Sequence, residues 1–420
     1  MGSTKRHWSE PVQNDIEAPP QGIWPLLAGL RFVFSLWVLC AHTYSFAEHP
    51  LPVLSLSGAM PVLCFFAISG FSIHHSIATK PAGYIQRRFW RVYPTNFASV
   101  SIALTGYLVL GPDLKTAVGH AGGEIIPPLT WIGSYLLLQA ELPILVPLMF
   151  PAWSLSIEVA YYAIAPLLRR LSLRLLLTLA GLSLLAFFEL HLLKDTFLET
   201  LVFHKTVFFH GLAIFWAFAC GWIAYTNTHR IWLMLVFAAS GPLAVASYPP
   251  FFNIDGWLAL IATLVAWFVV IAVLFMPPNL VLRPSIAGAL NYLGDLGYPL
   301  YLSHYPVMFI LASTVLRDQH VRFDGAIYGL CAVTVAVAIY HIVDRPLRKF
   351  GRSAALLFRA RLRNAEANAT GAPNSNESAS SALQRNSSSS RALDDAQRPI
   401  LCVSQPISEP CQEQGQKSGV

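Results

Sequence analysis

The sequence predicts an all-α membrane protein, a polytopic bundle of about ten transmembrane helices, and three observations carry that expectation. Hydrophobic residues make up 55 % of the 420 and charged residues only 12 %, a balance that excludes an ordinary soluble domain. The apolar residues recur as stretches about 20 long, enough for a helix to cross the hydrocarbon core. Lys and Arg gather at the ends of those stretches, as orientation by the positive-inside bias requires. The net charge of +6 therefore reads as orientation, and no nucleic-acid partner is expected.

Residues 1–23 are a polar lead-in placed in the cytoplasm. No cleavable signal is expected, because the apolar run that follows is too long for a signal core and contains Arg31. The spacing predicts spans at about Trp24 to Phe46, Gly58 to Thr79 and Thr95 to Leu110, with the basic segment KPAGYIQRRFWRVYPTNF on the cytoplasmic side and Pro94 ending its local structure. Leu129 to Phe150 is broken by Gln139, Glu141, Pro143 and Pro147 and reads as re-entrant or interfacial; a full crossing would put Arg169, Arg170 and Arg174 outside. Further spans are expected at about Trp153 to Leu168, Leu175 to Leu193, Val207 to Tyr225, Ile231 to Ala246, Trp257 to Met276, Tyr298 to Leu316 and Phe323 to Val343. Residues 24–350 thus form one membrane domain. Residues 351–420 are rich in Ser, Asn, Ala and Gln and read as a disordered cytoplasmic tail, so the N-x-S/T matches at Asn368, Asn376 and Asn386 are not expected to be glycosylated.

Two residues of the first span do not belong in hydrocarbon. In GLRFVFSLWVLCAHTYSF, Arg31 and His42 are separated by apolar or small residues. Eleven positions at about 3.6 per turn make nearly a whole number of turns, so both lie on one face with Ser35 between them, about 16 Å apart along the axis. Ionisable groups at such depth usually face a cavity, a partner or a reaction. The six cysteines are scattered, with Cys40, Cys64, Cys220 and Cys331 in apolar runs and Cys402 and Cys411 in the tail. They match neither a disulfide framework nor a zinc spacing, and no metal site is expected.

Six stretches, in order, carry a resemblance: Arg31 with His42, CFFAISGFSI (Cys64 to Ile73), RRFWRVYP (Arg87 to Pro94), PAWSLSIEVAYY (Pro151 to Tyr162), LGYPLYLSHYPV (Leu296 to Val307) and DRPLRKF (Asp344 to Phe350). Together they resemble the integral-membrane acyltransferase family 3, which O-acylates lipopolysaccharide, exopolysaccharide, peptidoglycan and related glycans. The resemblance covers about residues 24 to 350. It implies that His42 is the catalytic residue, and the chemistry agrees: moving an acyl group from a thioester to a hydroxyl needs a group that takes the hydroxyl proton near neutrality. It implies that Arg31 shares that site, paired with Glu158 or holding part of the donor. Arg88 and Arg91, three apart on one helical face, resemble a clamp for the phosphates of a cytoplasmic acyl-CoA; anchoring at the lipid headgroups is the alternative.

Two departures from the family pattern stand out. Val159 and Ala160 replace the glutamate and glutamine that commonly follow the first glutamate, leaving Glu158 as the only acid of that span, and Ser72 takes a usually apolar place. Glu158 is expected to orient His42 or to pair with Arg31. Trp153, Ser154 and Ser156 are expected at the outer mouth, and Ser69 with Gly70 where helices or a ligand approach closely. His74 and His75 read as interfacial. Tyr301 and His304 share a face, and His304 is expected to line the same cavity as His42.

The expected function is transfer of an acyl group, acetyl first, from cytoplasmic acetyl-CoA or another acyl-CoA to a hydroxyl of a cell-surface or exported glycan or glycolipid. It proceeds directly or through an acyl-histidine. The expected site is the bacterial inner membrane, with both termini cytoplasmic and membrane lipids and polysaccharide biosynthesis or export proteins as partners. The rivals are a transporter or flippase of a lipid-linked saccharide, with Arg31, His42 and Glu158 as a coupling relay, and a non-catalytic export scaffold.

Overall fold

A computed structural model describes residues 22–51, 58–110, 126–139, 147–192, 207–247, 257–276, 280–314, 316, 323–351 and 353. Among these the regular structure is helical throughout. In chain order the helices are α1 (Ile23–Thr43), α2 (Ala59–Thr79), α3 (Tyr84–Leu110), α4 (Pro128–Tyr135), α5 (Ala152–Leu168), α6 (Leu173–Leu192), α7 (Val207–Ala224), α8 (Ile231–Ser247), α9 (Trp257–Leu274), α10 (Pro284–Ser313) and α11 (Asp324–Ile339). Four helical segments are long and apolar enough to cross a membrane: Ile23–Thr43, Ala59–Thr79, Trp257–Leu274 and Asp324–Gly351. Shorter apolar helices lie at Ala152–Leu168, Leu173–Phe188, Gly211–Ala224 and Ile231–Ala246. The expected tail, apart from Gly351 and Ser353, and the candidate glycosylation sites fall outside the described residues.

The helices pack at the places where side chains are smallest. Gly70 of α2 faces the backbone of α7, where an added Cβ would fall 2.0 Å from the Phe218 carbonyl oxygen; Gly221 of α7 faces the Ala67 carbonyl oxygen at 1.7 Å. The two glycines let α2 and α7 touch backbone to backbone, the close approach small residues permit in membranes. Helix α10 lies along α1 in the same way: the Ser35 hydroxyl, fully buried, donates to the Gly297 carbonyl at 2.7 Å and to its own helix at Arg31 at 2.9 Å. These two pairings, α2 on α7 and α1 on α10, position the candidate site.

Three local expectations need correction. Pro94 does not end its segment; it sits inside α3, which runs unbroken from Tyr84 to Leu110. A proline removes one helical donor, but the buried face around it, Val92, Thr95, Asn96 and Ser99, packs on both sides of the break. Asn96 also donates to the carbonyls of Ser134 and Tyr135 at 3.1 and 3.2 Å, satisfying the end of α4. Helix α10 starts at Pro284, fourteen residues before the expected Tyr298, and continues through Gly297 and Pro299. His74 is buried, stacked on Trp222 at 4.4 Å with Nδ1 2.8 Å from the Trp222 carbonyl; its ring belongs to the α2–α7 contact and not to an interface. The interruption at Leu129 to Phe150 holds within the described part: α4 closes after eight residues at Leu137, whose φ of 59° ends the helix in the left-handed region.

Candidate functional site

A cavity with about 720 Å³ of space free of protein atoms, counting the open space at its mouth, lies between α1, α2, α3, α5 and α10. Its charged and hydroxyl-bearing walls come from five elements: Arg31 and Ser35 from α1, Ser69 and Ser72 from α2, Arg88 and Arg91 from α3, Ser154, Glu158 and Tyr162 from α5, and Tyr298 and Tyr301 from α10. Val62, Phe65, Phe66 and Leu155 complete it with apolar surface. Seven of the residues singled out in the sequence, Arg31, Ser69, Arg88, Arg91, Ser154, Glu158 and Tyr301, therefore meet around one space although they lie far apart in the chain.

The hydrogen bonds divide the cavity into two ends. The Arg31 guanidinium donates to the Ser72 hydroxyl at 2.6 Å, and Ser72 donates in turn to its own helix at Ile68. Arg88 donates to the Ser72 carbonyl at 3.2 Å and lies over the rings of Tyr84 and Tyr162 at 5.8 and 5.5 Å. The Glu158 carboxylate accepts from Ser69 and, at 2.8 Å, from Tyr162. Among the described residues Arg31 and Glu158 form no direct ion pair, and Arg91 has no hydrogen-bond partner. Three guanidinium groups thus face one carboxylate, which leaves positive charge in search of an anion.

A second, basic hollow, with about 650 Å³ of space free of protein atoms, shares Arg31, Ser72, Arg88 and Arg91 as walls and adds Lys80, Arg87, His75 and Trp24. Arg87 donates to the carbonyls of Ala82, at 2.7 Å, and Lys80, tying the turn between α2 and α3.

At the other end the Ser154 and Tyr301 hydroxyls share a hydrogen bond of 2.6 Å, and Tyr301 lies 3.2 Å from the Pro151 carbonyl. The ring of Tyr301 is edge-on to Phe65 at 5.3 Å and 6.2 Å from His304. It stands as a partition, because neither His42 nor His304 lines the arginine cavity. Helix α10 turns Tyr301 toward that cavity and His304 past it, to the side of His42. The two histidines form a pair of their own, with rings stacked at 5.3 Å and 30°. Tyr305 and Phe150 close around His42 edge-on at 5.1 and 6.2 Å. His42 is partly exposed, and Trp153 is half-buried against the apolar core without reaching the cavity.

The loop after His42 is held from a distant element. The carboxylate of Asp324, at the start of α11, accepts from the backbone N–H of Glu48 at 2.6 Å, His49 at 3.0 Å and Gly325 at 2.8 Å. Sequence reasoning missed this clamp, and it missed Tyr162 and Tyr298 as cavity walls. Ser72 was visible as a departure without its meaning: at that place a hydroxyl anchors Arg31. Among the described residues no group of three His, Cys, Asp or Glu could hold a metal ion.

Comparison with known proteins identifies the family. The profile of the family described as "Acyltransferase domain" (Acyl_transf_3) matches residues 25–341. A curated relative, "Acyltransferase MdmB" of Streptomyces mycarofaciens, is 30 % identical over 164 residues, which cover 36 % of this chain and 41 % of that protein. The match thus spans less than half the length of that relative. No solved structure matches the chain.

Proposed function

The chain belongs to the acyltransferase family 3, and from that premise we propose that it is a membrane O-acyltransferase, acetyl being the first acyl group to consider, that moves the group from a cytoplasmic acyl-CoA to a hydroxyl of a glycan or glycolipid across the membrane. The carrying observation is the convergence of Arg31, Arg88 and Arg91 on one cavity with a single carboxylate, the same arginines also walling the basic hollow at Lys80 and Arg87. Arginine forks suit phosphates, and an arginine left without a partner in an enclosed space fits an arriving anion. The phosphates of the donor sit at this end and its thioester arm follows the apolar wall of Val62, Phe65 and Leu155 toward Tyr301.

Beyond Tyr301 stands His42. There the acceptor hydroxyl attacks the thioester carbonyl carbon: the new C–O bond forms, the C–S bond breaks, and the hydroxyl proton passes through His42 to the departing thiolate. An acyl-histidine formed first on His42 balances equally. The partition at Tyr301 has to move for the thioester to arrive, and its hydroxyl, now engaged with Ser154 and the Pro151 carbonyl, is then free to donate to the developing oxyanion. Ten crossings with both termini cytoplasmic, in a bacterial inner membrane, would place the basic hollow on the donor side and His42 toward the outer side.

Kinetics in membranes test the donor assignment. Arg88→Ala together with Arg91→Ala is expected to raise the KM for acyl-CoA at least tenfold, the cost of one or two charged hydrogen bonds, with the acceptor KM little changed. Equal effects on both would reduce these arginines to anchors.

A further inference from the structure

The histidine pair contains a lone pair that nothing uses. His304 is fully buried, and its Nδ1 lies 3.1 Å from the Leu300 carbonyl. A carbonyl only accepts, so Nδ1 carries the hydrogen, and in the neutral ring Nε2 is then a bare acceptor. That Nε2 has no hydrogen-bond partner among the described residues. Buried acceptors are nearly always satisfied, and one that is not points to a donor that arrives. The ring stacked against it at 5.3 Å is His42, the residue that takes the proton of the attacking hydroxyl in the reading above.

We propose that His304 is a second catalytic residue that grips the acyl acceptor: its Nε2 accepts a hydrogen bond from a hydroxyl next to the one being acylated, so that the substrate class is a vicinal diol, as on a pyranose ring. The proton count requires a second donor, and on a sugar the nearest is the neighbouring hydroxyl. The attacking hydroxyl has one hydrogen, and it goes to His42; the hydrogen that satisfies His304 comes from another donor on the same molecule. The two ring centroids lie 5.3 Å apart, a spacing that neighbouring hydroxyls of a sugar, each adding a hydrogen bond, can span. A simple alcohol would leave Nε2 orphaned and bind less well. This rests on the acyltransferase reading only for the chemistry at His42; the grip on the sugar can be measured without it.

The test separates the two nitrogens of the ring. His304→Asn keeps a donor at the place of Nδ1 for Leu300 and removes the Nε2 acceptor; His304→Gln puts an amide oxygen where Nε2 was. The full chain in lipid nanodiscs is unfolded thermally in increasing methyl glucoside, methyl galactoside or methyl mannoside. At least one sugar is expected to stabilise the wild type and His304→Gln, while His304→Asn needs about three- to tenfold more of it, the loss of one hydrogen bond. The same sugar dependence in all three proteins, or stabilisation of none, overturns the proposal. Acetyl transfer to the same sugars is measured beside it. If the sugar pattern holds and the wild type transfers nothing, the transfer reading falls and the diol grip stands. If His304→Asn transfers at the wild-type rate and the same sugar KM, the grip falls and the acyltransferase reading stands.

Discussion

Arg31 is held by one hydroxyl, and that makes it sensitive to a change of two atoms. Its guanidinium donates to Ser72 at 2.6 Å inside a cavity where Arg88 and Arg91 repel it and Glu158 attracts it without touching it. Ser72→Ala removes the anchor and leaves the charge, so the acyl-CoA KM is expected to rise about three- to tenfold with kcat nearly unchanged; an unchanged KM would mean that Arg31 finds its place without Ser72. Arg31→Lys is expected to do worse, because an ammonium cannot reach a hydroxyl and a phosphate with the same planar fork. The residue scale is also where the sequence was most informative. A charge in an apolar run announces itself, and Arg31 was found that way, whereas Arg88, Arg91 and Glu158 were found through the motifs that carry the family resemblance. Tyr162, Tyr298 and Ser72 were not, because in a membrane segment an aromatic or a serine is unremarkable until the fold shows which cavity it faces.

At the scale of elements, the contact between α2 and α7 carries Ser69 and Ser72 to the site. Gly70→Ala places a methyl group against the Phe218 carbonyl, where only backbone could give way. The expected cost is about 1–3 kcal/mol, as for other overpacked contacts, read as a lower unfolding temperature together with a raised donor KM. A lower temperature with an unchanged KM would show that the helix can shift without disturbing its serines. The clamp from α11 makes a different prediction. Asp324→Ala strips two loop N–H groups and that of Gly325 of their acceptor, and faster hydrogen exchange is expected in residues 45–51 and at the first turn of α11, with the rest of α11 unaffected; exchange unchanged in that loop would make the clamp redundant. Apolar length located the helices to within a few residues because burial in hydrocarbon overrides local propensity. It failed at Pro94 and at the start of α10 for the same reason, since tertiary packing carries a helix through a proline and beyond its apolar part. The aspartate of α11 could not have been found, because its partners lie some 275 residues away in the sequence.

For the whole molecule the account is a path with two ends. Positive charge gathers at one end of the α1–α2–α3–α5–α10 cavity, a histidine pair stands past the other, and the Tyr301–Ser154 hydrogen bond lies between them. In the proposed reading this path passes an acyl group and stops the rest of the donor, whereas a channel for a whole saccharide would need it to open throughout. Tyr301→Phe keeps the ring and frees Ser154. It is expected to lower kcat by about 10²-fold through loss of an oxyanion donor, without raising either KM; a faster enzyme would make the hydroxyl a latch only.

The central claim is that His42 performs the transfer, and it is tested most directly by following radiolabelled acetyl from acetyl-CoA into surface carbohydrate in membranes that contain folded wild type or His42→Ala. Label that mild alkali releases as acetate, present with the wild type and reduced about 10²- to 10⁴-fold in the variant, is the predicted result. Equal labelling with both proteins would contradict the account.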